Sequence, residues 1–165
     1  MTARGDVPAL ARALASETSP RVRETILTGL AKIATLESAD AVLPYLRSDD
    51  SIVRTGALDA LRAMPGAVKP QLGALLRDAD PDVRLLACEV VRNLESADAE
   101  EMLGGLLATE PDVNVCGAAI EVLAEIGSDR SLPVLNQLAA RFQNEGFLGF
   151  AITIATERLR ARTTQ

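Results

Sequence analysis

The sequence predicts an all-α fold, a superhelical α-solenoid of about five stacked helix pairs, and three observations carry that expectation. Apolar anchors recur at a nearly constant interval: Val22, Val53, Val83, Val115 and Phe147, spaced 31, 30, 32 and 32 residues apart. A short polar residue stands three positions before every anchor: Ser19, Asp50, Asp80, Asp112 and Asn144. Finally, Ala and Leu at helical spacing fill the chain and alternating β-branched runs never appear, so no strand signal competes. Self-similarity at a fixed period of this size marks a repeat architecture, in which each unit buries its apolar face only against its neighbours.

The anchored segment of each unit reads as the second helix of a pair. Four residues after the anchors stand Ile26, Ala57, Ala87, Ala119 and Ala151, and eight after stand Leu30, Leu61, Val91, Leu123 and Ala155. Eleven after come Ile33, Met64, Leu94 and Ile126, whereas the fifth unit has Arg158, with Leu159 one step late. These offsets share one helix face. The five preceding Ser, Asp and Asn residues suit the N-cap, where a side-chain oxygen accepts a free N–H of the first turn. Pro20 and Pro81 follow two of them, at the first helical position, where a missing N–H costs nothing.

Upstream of each capped helix lies a shorter amphipathic one, with the apolar pairs Leu10/Leu14, Leu43/Leu46, Leu72/Leu75, Leu103/Leu106 and Leu135/Leu138. Five units follow, approximately 5–36, 37–66, 67–96, 97–127 and 128–162, within a single domain over 1–165. Pro44 lies inside the first helix of the second unit and is expected to kink it. The hexapeptide LESADA occurs twice, at Leu36–Ala41 and Leu94–Ala99. Both copies fall at unit junctions, with Ser38 and Ser96 placed to cap the next helix.

The stretches DPDVRLLACEVVRNL and PDVNVCGAAIEVLAEIG, in which Val83 and Val115 are the anchors, resemble HEAT repeats. The short period resembles in particular the subclass found in phycobilisome lyase subunits. The resemblance covers essentially the whole chain. It implies that the second helix of each pair lines a concave face. It also implies that Arg23, Arg54 and Arg84, each one residue past an anchor, form a ladder to Asp50, Asp80 and Asp112. Cys116 and Leu148 hold that slot in the last two units, so the ladder is expected to stop there.

Composition narrows function by exclusion. A formal charge of −6 argues against the phosphate backbone of nucleic acids as the main ligand. Aromatics at 2% leave little to stack bases on. The absence of His removes Ser-His-Asp and Cys-His catalysis and His-ligated metals, so no cofactor is expected. Two cysteines fit a reducing compartment, and no stretch reaches 18 apolar residues, so a cytoplasmic chain without membrane contact is expected. Cys88 falls on the buried stripe, and Cys116 is expected to be more exposed.

On the expected concave face the outward positions place Asp59, Glu89 and Glu121 in an acidic row. Arg62, Arg92 and Glu125 extend it, and an apolar strip of Leu85, Leu86 and Phe150 runs beside it. Together they suit a partner protein or peptide of basic, amphipathic character. A non-catalytic interaction module is the leading reading. A subunit of a bilin lyase or isomerase, implied only by the family resemblance, is the alternative. The closing helix, GFLGFAITIATERLRAR, is apolar on most of its circumference. That predicts an end-face interface centred on Leu148 and Ile152, used by a partner or by a homodimer.

Overall fold

Ten α-helices and two 3-10 turns follow one another in the computed structural model, which describes residues 6–163. The chain divides into two compact units, Met1–Leu72 and Gly73–Gln165. In the first, α1 (Val7–Ser16) pairs with α2 (Pro20–Ile33). Then α3 (Leu36–Val42) continues into a 3-10 turn (Leu43–Arg47) and precedes α4 (Ser51–Arg62). The division falls within α5 (Pro65–Leu75). The second unit holds α6 (Pro81–Val91), α7 (Ser96–Leu107), α8 (Val113–Ile126), a 3-10 turn (Asp129–Ser131), α9 (Leu132–Arg141) and α10 (Gly146–Thr163). Among the described residues there is no strand; α1 packs on α2, α3 with its 3-10 turn on α4, α7 on α8 and α9 on α10, the helix pairs of the α-solenoid class.

Local chemistry accounts for most helix boundaries. The Asp50 carboxylate accepts the N–H groups of Ile52 and Val53, Asp80 accepts that of Asp82, and Asp112 accepts those of Asn114 and Val115. Two of the five expected caps differ. Ser19 stands at the N-cap of α2 without a side-chain bond, and Glu17 instead accepts the N–H groups of Thr18 and Ser19. α10 starts at Gly146, two residues beyond Asn144, so Asn144 does not stand at its N-cap. Pro44 acts as expected. α3 ends at Val42 and the chain tightens into the 3-10 turn, because proline supplies no N–H to continue the α-helical ladder.

The LESADA copies do lie at junctions between pairs, but neither serine stands at an N-cap position. Ser38 is the third residue of α3 and closes a capping box whose N-cap is Thr35. Ser96 opens α7 behind Glu95, and its hydroxyl donates to the Ile126 carbonyl at 2.7 Å.

The anchors Val53, Val83 and Val115 are buried, together with the small residues Ala57, Ala87 and Ala119 four positions later. The two terminal anchors are not. Val22 is 43% exposed, since α2 buries Ile26, Leu27 and Leu30 instead. In α10 the buried stripe is Leu148, Ile152, Ala155 and Leu159, one residue later than in the other pairs, and it packs on α8. Phe147, the expected anchor, is 62% exposed. The expected end-face interface is therefore corrected: Leu148 and Ile152 are core residues of the C-terminal pair and offer no surface to a partner. The one-step shift that brought Leu159 into the stripe had already moved Leu148 into the anchor position. Cys116 is also fully buried, contrary to expectation.

Candidate functional site

The residue after each anchor belongs to the framework beneath the exposed face. Arg23 donates from Nε to the Glu17 carbonyl at 2.7 Å, Arg54 from Nη1 to that of Ser48 at 2.5 Å, and Arg84 from Nη1 to that of Asp78 at 2.8 Å. In each case the acceptor lies six residues back, so the side chain closes the turn inside its own pair. The Cys116 thiol occupies the same slot, 3.5 Å from the Glu110 carbonyl. Arg141 of α9 then completes what Cys116 lacks, donating to the carbonyls of Leu107, Ala108 and Glu110. The arginine role thus continues past the third pair by a route that the repeat register does not show.

The acidic partners also differ in part. Arg23 reaches Asp50 at 3.8 Å, as the resemblance implied. Arg84 pairs with Glu110 and not with Asp112: both contacts of the bidentate bridge are 2.8 Å long. Asp112 is committed to capping α8. The hydrogen bonds to Glu110 hold the Arg84 guanidinium above its ordinary pKa, against the opposing effect of burial.

In the first unit, α2 and α4 flank an open groove of about 600 Å³. Leu27, Val53 and Ala60 line it with apolar surface, and Ile52 stands 66% exposed beside them. Asp59 is on its wall, exposed and 4.0 Å from Arg62. Gly56 sets how closely the two helices approach, because a Cβ there would lie 3.0 Å from Leu27 Cδ1.

In the second unit the predicted residues of α6 and α8 do meet. Arg92 sits among three carboxylates, 3.1 Å from Glu89 and 3.7 Å from Glu121, and also in contact with Glu125. The expected acidic row is therefore partly neutralised from within. Leu85 and Leu86 are half-buried, and Phe150 is 69% exposed. Phe147, missed as a surface residue, rests its ring edge over Gly117 of α8, where a Cβ would come within 3.0 Å of it. The signals available for it were the glycine at an outward position of α8 and the late Leu159.

Neither thiol is poised for chemistry. Burial pushes Cys88 from the ordinary 9.0 up to about 12, and Cys116 up to about 11. The sign of the linkage follows: both stay protonated in the folded and unfolded states below pH 9, so their contribution to stability is complete there. Above pH 9 the unfolded chain releases its thiol protons while the folded chain keeps them, and stability falls as the pH climbs toward 11 to 12. The urea midpoint is expected to drop between pH 9 and 11 more steeply than in a Cys88→Ala/Cys116→Ala variant. Equal slopes in the two proteins would refute this.

Among the described residues, no three Cys, Asp or Glu side chains are placed to hold a metal ion, and no helix is long and apolar enough to cross a membrane. A family model described as HEAT repeats matches residues 4–62 and 68–145. No curated protein matches the chain significantly. Among solved structures, the crystal structure of an engineered protein is similar at a TM-score of 0.41 and 19% identity, over 95% of this chain and 97% of that one.

Proposed function

From the premise that this chain belongs to the HEAT-repeat family, we propose that it is a non-catalytic protein-interaction module, a scaffold, adaptor or assembly factor. Its partner protein or peptide docks, within the first unit, on the face that α2 and α4 make. The observation that carries this is the groove between α2 and α4, an open cleft with apolar walls, an exposed Ile52 and an acidic Asp59. Such a cleft suits the side chains of a docked peptide better than the closed pocket that acid–base chemistry needs. The elevated thiol pKa values support the non-catalytic part, since a nucleophilic cysteine needs its thiolate. The repeat period of 30–32 residues supports placement in the short phycobilisome-lyase-type subclass.

Ile52→Glu and Asp59→Lys test the reading, as both side chains are exposed and neither change reaches the core. A partner cross-linked and identified from host lysate with the wild-type protein is expected to be lost with Ile52→Glu/Asp59→Lys, while the far-ultraviolet circular dichroism is unchanged. Full retention of that partner by the double variant would remove the α2–α4 groove from the binding surface. Failure of the wild type to retain any partner would count against the interaction module itself.

A further inference from the structure

We propose that two copies of this chain pair face to face through α8 and α10, about a two-fold axis running between these helices, so that Glu121 and Glu125 of each copy meet Arg158 of the other. The α2–α4 groove takes no part in this pairing, so the two readings are tested separately. Two contacts show that α8 and α10 run side by side in the same direction. At one end the Phe147 ring edge rests over Gly117, in the N-terminal half of α8. At the other, Arg162 donates to the Ala124 and Gly127 carbonyls, at 2.9 and 3.2 Å, where α8 ends. Residues equally far beyond the buried anchors Val115 and Leu148 therefore share a level on the two helices. Glu125 and Arg158 are one such pair, and Gly117 and Phe150 are another.

Charge selects the occupant. Glu89, Glu121 and Glu125 share the single guanidinium of Arg92, which leaves two negative charges on α6 and α8. On the C-terminal half of α10, Arg158, Arg160 and Arg162 outweigh Glu157 by two positive charges. Arg158 makes no ion pair among the described residues, and Glu121 is exposed, held only at 3.7 Å by the shared Arg92. A uniformly basic partner would meet the arginines of α10, and a uniformly acidic one the carboxylates of α8. A second copy answers both signs at once.

Symmetry fixes the arrangement. Rotation about an axis parallel to the helices keeps every residue at its level and exchanges the two sides, so α8 of each copy comes over α10 of the other. Carboxylates then meet arginines in two equivalent places. The same rotation brings the exposed Phe150 of each copy onto the Phe147 ring that rests over Gly117 in the other. Both rings leave water, and aromatic side chains covered in this way are what the cores of interfaces are enriched in. An axis across the helices would instead stack α8 end for end on its own copy. Glu125 would then face the N-terminal half of α8, where no arginine stands.

Sedimentation equilibrium of the purified protein is expected to show a monomer–dimer equilibrium in the micromolar range that weakens as salt is added. Glu121→Arg/Glu125→Arg turns the charge of α6 and α8 from two negative to two positive, and Arg158→Glu/Arg160→Glu turns that of α10 from two positive to two negative. Each variant alone is expected to dimerise at least about tenfold more weakly than the wild type. An equimolar mixture of the two is expected to recover the dimer as a heterodimer, because each copy then carries the charges that the other needs on both helices. Misfolding would not produce that recovery. Phe150→Ser is expected to weaken the wild-type dimer by about tenfold as well, with circular dichroism confirming that the variant folds. A wild type that stays monomeric to about 100 μM would overturn the proposal. So would charge variants that dimerise as well as the wild type, or a mixture of them that stays monomeric. None of these outcomes bears on the α2–α4 groove, whose test is the loss of its partner with Ile52→Glu/Asp59→Lys.

Discussion

Glu110→Ala is expected to destabilise the protein by about 3–5 kcal/mol, the range for removing one partner of a buried ion pair. The Glu110 side chain is only 2% exposed, and the Arg84 side chain against it 13%. Its two carboxylate oxygens accept from Arg84 Nε and Nη2, and one of them also accepts the Asp112 N–H at 2.9 Å. Alanine would leave the guanidinium hydrogen-bonded by the Asp78 and Ala79 carbonyls, with only the more distant Asp112 and Asp78 carboxylates to offset its charge. Glu110→Gln keeps the shape and one acceptor, and should cost less. Replacing both partners with apolar residues, as in Arg84→Met/Glu110→Leu, should restore much of the loss, since a buried pair contributes little beyond well-packed hydrocarbon. Urea denaturation of the four proteins tests the series. A Glu110→Ala change below about 1 kcal/mol, the level of an exposed pair, would show that the bridge is not buried in solution.

Leu148→Ala is expected to cost about 2–5 kcal/mol, as for other fully buried leucines. Leu148→Glu should unfold the C-terminal pair, because it would insert a carboxylate between α10 and α8. Phe147→Ala, at the adjacent position, should cost no more than about 1 kcal/mol, as for a largely exposed side chain. The contrast separates the two registers of α10. Had Phe147 been the anchor and Leu148 the outward residue, the order of the two losses would be reversed. Thermal denaturation of the three variants distinguishes the cases, and a Phe147→Ala loss exceeding that of Leu148→Ala would refute the observed register.

The sequence by itself determined the helix pairs, their number and most of their boundaries. These follow from chemistry confined to one turn of chain: an Asp at position 50, 80 or 112 finds free N–H groups two or three residues away, and Pro44 cannot help ending α3. Period likewise chose the face that each internal anchor turns inward, so Val53, Val83 and Val115 were legible as core. The composition of the candidate faces, acidic beside apolar, was legible in the same way.

Only the tertiary structure decided which residues compete for the same space or charge. Glu110 took Arg84 while Asp112 capped α8; both carboxylates were close in sequence, and proximity in three dimensions chose between them. Arg141 reached the Glu110 carbonyl from another helix, a pairing between residues 31 apart that no local rule encodes. Arg92 drew three carboxylates from two helices onto one guanidinium and so reduced the charge that the sequence had assigned to the surface. At the C-terminal pair the repeat marked Phe147 as the anchor, yet Leu148 is the buried residue. Packing on α8 selected the residue whose stripe continues through Ile152, Ala155 and Leu159, because a helix buries a continuous line of side chains and not a single one. That choice turned Phe147 and Phe150 outward.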